Sequence, residues 1–355
     1  MLKIEGLMDI YSDFLISQNG QATATSLSAM MEGKISHDKI TRLLNNNKFS
    51  SKELWKLVKP IIRKQESEAV LAIDDTIIEK PYSSDNEIIC WHYSHAKGQV
   101  VKGIELMTCT AIYEKITIPI SYELIEKTDC YEDEEENNKL KRRSTDTKNQ
   151  RFKRLLDQAI KCDIEFSYIL SDSWFTSKDN LRHIHYELNK KFIMAIKSNR
   201  LAAVDATAKK LTRIDQLEIE SGTAITVYLK GLDFPVKLLK QLFTNEDGSS
   251  GTLYLITNDT KILSSNILEI YKKRWKIEEF HKSVKCNASA AKSPTKTPTS
   301  QANHLFASIL AFCKLETLKL LNSLNHFALK AQLILAANKA SFSALSQLKS
   351  CALIY

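Results

Sequence analysis

Three acidic positions stand where separate predicted elements end or turn. Asp74 and Asp75 close the apolar run "EAVLAIDDT", Asp172 closes "FSYILSDSW", and Glu278 lies in the late segment "YKKRWKIEEFHKSVK". If the strands carrying the first two are neighbours in one sheet, their C-terminal carboxylates lie side by side. A helix packed across that edge can bring in the third. Three converging carboxylates repel one another unless a divalent cation neutralises them, and hard oxygen donors suit Mg²⁺ or Mn²⁺. Two such ions, roughly 3.5–4 Å apart, activate an attacking hydroxyl and stabilise a leaving oxygen in phosphoryl transfer.

Around Glu278, the residues Tyr271, Arg274 and Lys285 follow helical spacing. At about 100° per residue all four fall within roughly 60° of one another, on one stripe. A solvated face carrying i,i+4 charge pairs would have the same pattern. The partners supplied by the rest of the chain therefore decide its meaning.

The elements that must position these groups are legible from periodicity. Residues 1–65 carry helical patterns, broken at Glu32-Gly33-Lys34 and restarted behind Ser36, an N-cap residue. That outline fits a helix-turn-helix, and equally an ordinary helix pair. From residue 68 the predicted order is strand, strand, strand, helix, strand, helix, strand, the signature of a mixed α/β sheet with flanking helices. The third strand and the first helix are joined by "EKTDCYEDEEENNKLKRRSTDTKNQ", acidic and then basic, which reads as a mobile connection. Residues 200–262 turn β-like again. A helical segment, a Ser/Thr/Pro/Lys loop at 289–301 and a helical tail follow. The expected division is 1–65 helical, 66–199 and 263–320 the two parts of one α/β core, 200–262 a β-rich insertion, and 321–355 a helical tail.

Bulk properties narrow the class. The 355 residues include 50 Lys and Arg against 42 Asp and Glu, a net charge of +8 that is compatible with a polyanionic partner. Seven scattered cysteines form no CxxC pair, so neither a disulfide framework nor a zinc site is expected. His92 and His95 lack a completing ligand and read as polar or packing residues. No apolar stretch is long enough to span a bilayer, and no signal peptide is evident; a cytoplasmic location with no membrane contact is expected. Trp174 and Trp275 could stack on bases, but aromatic core positions are commoner. His281 borders the stripe.

The chain resembles the DDE transposases of bacterial insertion sequences, in the branch marked by the box Y-x2-R-x3-E-x6-K, matched here by Tyr271, Arg274, Glu278 and Lys285. "LAIDDT" and "LSDSWF" are similar to the family's two aspartate segments, and the resemblance covers roughly residues 65–320. It implies a ribonuclease H-like core with a β-rich insertion and an N-terminal DNA-binding region. It also implies metal-dependent cleavage and strand transfer at the element's ends. Asp172 and Glu278 match the second and third catalytic acids. The first is Asp75 on a gapless comparison and Asp74 on a looser one, with Asp75 preferred. These acids would hold Mg²⁺ (Mn²⁺ substituting), two ions in all, while Tyr271, Arg274 and Lys285 would contact DNA phosphates, a role suited to an arginine fork and a lysine point charge. The implied partners are the terminal inverted repeats, target DNA and a second copy in a synaptic dimer. A catalytically inactive DNA-binding relic or regulator, or a ribonuclease H-like nuclease, would carry much of the same sequence.

Overall fold

The computed structural model describes residues 6–133, 139–205, 211–244 and 247–352. Four helices come first: α1 (Leu7–Ser17), α2 (Ala24–Met30), α3 (His37–Asn46) and α4 (Ser51–Ile62). Next are β1 (Ala69–Glu79), β2 (Cys90–Ser94), β3 (Gln99–Ile112), β4 (Thr117–Leu124), β5 (Asp129–Asp133) and β6 (Lys139–Arg143). Then α5 (Lys148–Lys161), β7 (Phe166–Ser171), α6 (Lys178–Arg182) and β8 (Lys191–Ala195) alternate. The strands β9 (Leu201–Ala203), β10 (Thr212–Arg213), β11 (Ala224–Leu229), β12 (Val236–Thr244) and β13 (Ser250–Thr257) precede α7 (Ser264–Lys272), α8 (Trp275–Cys286), α9 (Pro298–Asn322) and α10 (His326–Ala352).

The chain parts into two interleaved units. One comprises residues 64–76 and 106–279, the other 1–63, 77–105 and 280–355. In the first, strands run β10–β9–β11–β12–β13–β8–β7–β1–β3, with β4 also on β3. β1 pairs parallel with β7 and β7 parallel with β8, while β3 and β4 are antiparallel. The path β4–β3–β1–β7–β8 is a ribonuclease H-like sheet, extended beyond β8 by the antiparallel strands of residues 201–257. β1 opens on Ala69, Val70, Leu71, Ala72 and Ile73, all buried. Such a continuous apolar run suits a strand covered on both faces. α5 starts at a capping box formed by Thr147 and Gln150, and it buries Phe152, Leu155 and Leu156.

The acidic-then-basic connection is not loose chain. Its two halves pair as the antiparallel hairpin β5–β6, with Asp129 opposite Arg143 and Tyr131 opposite Lys141. Opposite charges facing across a ladder stabilise the pairing, and the Arg143 guanidinium also lies over the Tyr131 ring at 5.6 Å. Residues 134–138 at its tip lie outside the described residues.

In the second unit, α1, α3 and α4 pack on α9, a helix buried along most of its length. Ser36 caps α3 by accepting from the Lys39 amide, and α2 packs against α3 across the break. Asn303 of α9 donates to the carbonyls of Leu44 and Asn47, and its own carbonyl accepts from the Phe49 amide. β2 pairs with the first half of β3. There a Cβ on Gly103 would meet the Ile78 carbonyl oxygen at 2.5 Å. Because that neighbour is backbone, Gly103→Ala is expected to cost about 2 kcal/mol through overpacking, seen as a lower urea midpoint. An unchanged midpoint would mean that β1 shifts without strain.

Among the described residues no cysteine forms a disulfide, and no helix is long and apolar enough to cross a membrane.

Candidate active site

The site grows from the register of two strands. Leu71 lies level with Ile169 and Ala72 with Leu170. Two residues further on, the same register sets Asp74 level with Asp172. Neighbouring strands lie about 4.8 Å apart, and residues at one level share a face. Asp74 and Asp172 are therefore neighbours on one side of the sheet edge. Asp75 is turned to the opposite side by alternation and accepts from the Lys148 ammonium at 3.1 Å.

Electrostatics agree with that placement. The Asp74 carboxyl is pushed up to about 7, first by burial, then by the charges of Asp172 and Asp75, with Arg274 opposing. Its Oδ1 accepts from the Asp75 amide at 2.9 Å. Asp172 Oδ1 accepts from the Trp174 amide at 3.0 Å, which fixes the turn leaving β7.

The Tyr271–Lys285 segment is two helices rather than one. Between α7 and α8 the amides of Lys273, Arg274, Lys276 and Ile277 bond to carbonyls three residues back, a tightened 3₁₀-type turn. The single-helix stripe expected from the spacing is broken there. Arg274 sits in the break, and its guanidinium donates to Asp74 Oδ2 at 3.1 Å and to Glu278 Oε1 at 2.5 Å. One planar fork thus links the first acidic segment to the helix glutamate. Glu278 lies in the first turn of α8, where the helix dipole favours a negative charge.

Tyr271 is buried, and its hydroxyl donates to the Ser171 carbonyl at 3.4 Å, one residue before Asp172. Burial raises the phenol to about 12, so it stays protonated. That bond is long, so Tyr271→Phe is expected to cost under about 1 kcal/mol, read as a small melting shift with the sheet edge intact. A larger loss would mean that this bond holds the β7 exit. Lys285 belongs to the other unit, where burial lowers its ammonium and Glu79 opposes that shift. His281, expected to border an exposed stripe, is buried in that same unit. There His92, expected to be a polar or packing residue, meets buried Glu105 at 2.9 Å.

Both tryptophans singled out in the sequence are exposed rather than in the core, Trp174 at 48% and Trp275 at 58%. Trp174 is flanked by the ammonium groups of Lys148 and Lys197, each 5.7 Å from its ring. Neither lysine was marked by its sequence surroundings. Lys148 opens α5 in "TDTKNQ", and only the tertiary structure brings it to Asp75.

Among the described residues no group of three His, Cys, Asp or Glu side chains surrounds one position. Asp74 and Asp172 nevertheless offer adjacent hard oxygens, and the Asp74 carboxyl is raised first by burial and then by the neighbouring carboxylates, charges that a divalent cation would offset. This pair fits one divalent ion. Glu278 is held by Arg274, which already supplies a positive charge between it and Asp74.

Comparison with known families decides the class. Residues 5–213 match the family described as DDE superfamily endonuclease, a stretch that contains Asp74, Asp75 and Asp172. The chain belongs to the DDE superfamily of endonucleases. Residues 144–313, which include Asp172 and Glu278, also match the transposase DDE domain. No curated protein matches the chain. As a DDE transposase-type nuclease, it has DNA as its implied substrate, and this family generally depends on a divalent metal.

Proposed function

We propose that this DDE endonuclease is a DNA transposase that cleaves the ends of its own element and joins the 3′-hydroxyls to target DNA. The observation that carries the proposal is the β1–β7 register, which continued by two residues sets Asp74 level with Asp172 just past β7, with Glu278 tied to Asp74 through Arg274. Asp74, rather than Asp75, is the first acid in this reading, because Asp75 is directed to Lys148. Asp74 and Asp172 would hold a Mg²⁺ ion, and Glu278 would join them once Arg274 is drawn away, which gives room for a second. When bound, the metal supplies Lewis-acid activation of the attacking hydroxyl and charge stabilisation of the leaving oxygen.

The chain's own residues do the rest. Arg274 balances the carboxylates before DNA arrives and can turn its fork onto a phosphate. Tyr271 braces the β7 exit that carries Asp172. Lys285 would contact DNA as a point charge. The α2–α3 pair would read the terminal repeats, since α3 leaves Lys39 and Arg42 exposed while burying Ile40 and Leu44. Two copies would hold two ends in a synaptic dimer.

The test is strand transfer with pre-cleaved ends taken from the inverted repeats bracketing the reading frame, in Mg²⁺. Wild-type activity lost in Asp172→Ala and Glu278→Ala supports the proposal, and full activity in either variant ends it. One observation favours a second reading, an inactive DNA-binding regulator: Arg274 stands between Asp74 and Glu278 as a counter-ion. Binding to element ends without metal-dependent cleavage would select it.

A further inference from the structure

We infer that a cleft beside Trp174 is a binding track for a single DNA strand, distinct from the carboxylate site. This rests on the reading that the protein acts on DNA. The cleft has a volume of about 430 Å³ and is rimmed by Lys178, Lys197, Arg200 and Lys230, with no acidic residue in its lining. Its floor includes Leu181 and Leu229, both buried. Among the described residues, none of the four cations has a carboxylate partner. Lys197 faces the Trp174 ring and the Arg200 guanidinium donates to the Thr176 carbonyl at 3.3 Å.

Four uncompensated positive charges around one small cleft repel one another and attract a polyanion. The apolar floor selects among polyanions. A duplex keeps its bases stacked inside and offers mainly phosphates to such a surface. A single strand can lay sugars and base faces on leucines while its phosphates meet the rim, and an exposed aromatic ring adds a stacking surface. Trp174 is such a ring. Its amide donates to Asp172, so a base stacked on it lies two residues from the carboxylate site.

The cleft is also held in place. Thr176 donates its hydroxyl to the carbonyls of Asp172 and Ala195, which fastens the cleft wall to the ends of β7 and β8. Gly231, at φ +88°, lets the Lys178 side chain close over the turn after β11; a Cβ there would stand 3.0 Å from Lys178 Cδ. The strand bound here is one unpaired near the cleavage point.

The experiment is fluorescence anisotropy in EDTA, with a labelled mixed-sequence 12-nucleotide single strand and the same sequence as duplex, over a KCl series. Metal-free binding separates this inference from cleavage, which is assayed in parallel on the wild type. The variant is Arg200→Ala/Lys230→Ala; both residues are exposed, and its melting temperature is checked against wild type. We expect single-strand affinity to fall at least tenfold and the salt slope to flatten by about 1.4, roughly 0.7 per lost phosphate contact. Duplex affinity should change less than threefold, and Lys161→Ala on α5 should leave both unchanged. Wild-type-like single-strand binding by the double variant, or equal loss on duplex and single strand, overturns the inference while leaving the transposase reading intact. A wild type that binds neither DNA and cleaves nothing overturns both.

Discussion

Asp74→Asn is expected to lower metal-dependent DNA cleavage by about 10³-fold, while Asp75→Asn costs less than about tenfold. Losing one oxygen donor from a catalytic metal site removes several kcal/mol of transition-state stabilisation, and each 1.36 kcal/mol is a factor of ten. The two aspartates are adjacent in sequence, yet a strand turns them to opposite sides. Asp74 is level with Asp172 and bonded to Arg274, while Asp75 is bonded to Lys148. The Asp75–Lys148 pair is partly exposed, so its loss is worth about 1 kcal/mol or less. Single-turnover cleavage of both variants, at saturating Mg²⁺, gives the comparison. A reversed order would make Asp75 the first acid and require β1 to twist by one residue when metal binds.

The second expected result concerns pH and metal together. The Asp74 carboxyl has its ordinary value near 3.8 in the unfolded chain and about 7 in the folded one. Between those values the folded state holds the proton more tightly, so this group's contribution is full at low pH and is lost as pH rises from about 4 to 7. Metal-free wild type should therefore lose about 2 kcal/mol relative to Asp74→Asn between pH 4.5 and pH 8, discounted from the full shift because the side chain is not wholly buried. Mg²⁺ should raise the wild-type melting temperature at pH 8, and near pH 6, where the folded carboxyl still holds its proton, binding should release that proton, since the ligand must be ionised. Asp74→Asn should show neither effect. Parallel pH profiles for wild type and Asp74→Asn would place the raised carboxyl elsewhere. Mg²⁺ stabilisation that survives in the variant would remove Asp74 from the ligand set.

The break in the late segment and the placing of Asp74 beside Asp172 have the same origin in long-range packing. Spacing alone put Tyr271, Arg274, Glu278 and Lys285 on one face of one helix. The hydrogen-bond ladder tightens at Lys273–Arg274, and two helices result. Tyr271 is then buried, and Arg274 reaches back across 200 residues to Asp74. Nothing in a helical wheel signals a 3₁₀ turn, because a wheel assumes one unbroken ladder and carries no account of the bonds three residues back that form here. The hairpin β5–β6 is hidden in the sequence for a related reason. A charge run reads as solvated chain until its acidic and basic halves are seen to face each other across a ladder.

The motifs and periodicity of the chain were enough for the family and the mixed α/β fold class. The apolar runs before Asp74 and Asp172 are buried strands, although β1 continues past its two aspartates to Glu79; Ser36 marked a helix start that it does cap, and the alternation after residue 150 is met by β7 and β8, parallel with a helix between them. Strand register, by contrast, is a long-range property. Which of two neighbouring aspartates meets Asp172 depends on how β1 slides against β7, and a slip of one residue exchanges their faces. The Arg274 bridge, the Lys148–Asp75 pair and the cationic cleft beside Trp174 join residues far apart in the chain. Those contacts arise only when the sheet is assembled, because the side chains that make them carry no mark of their partners in the sequence.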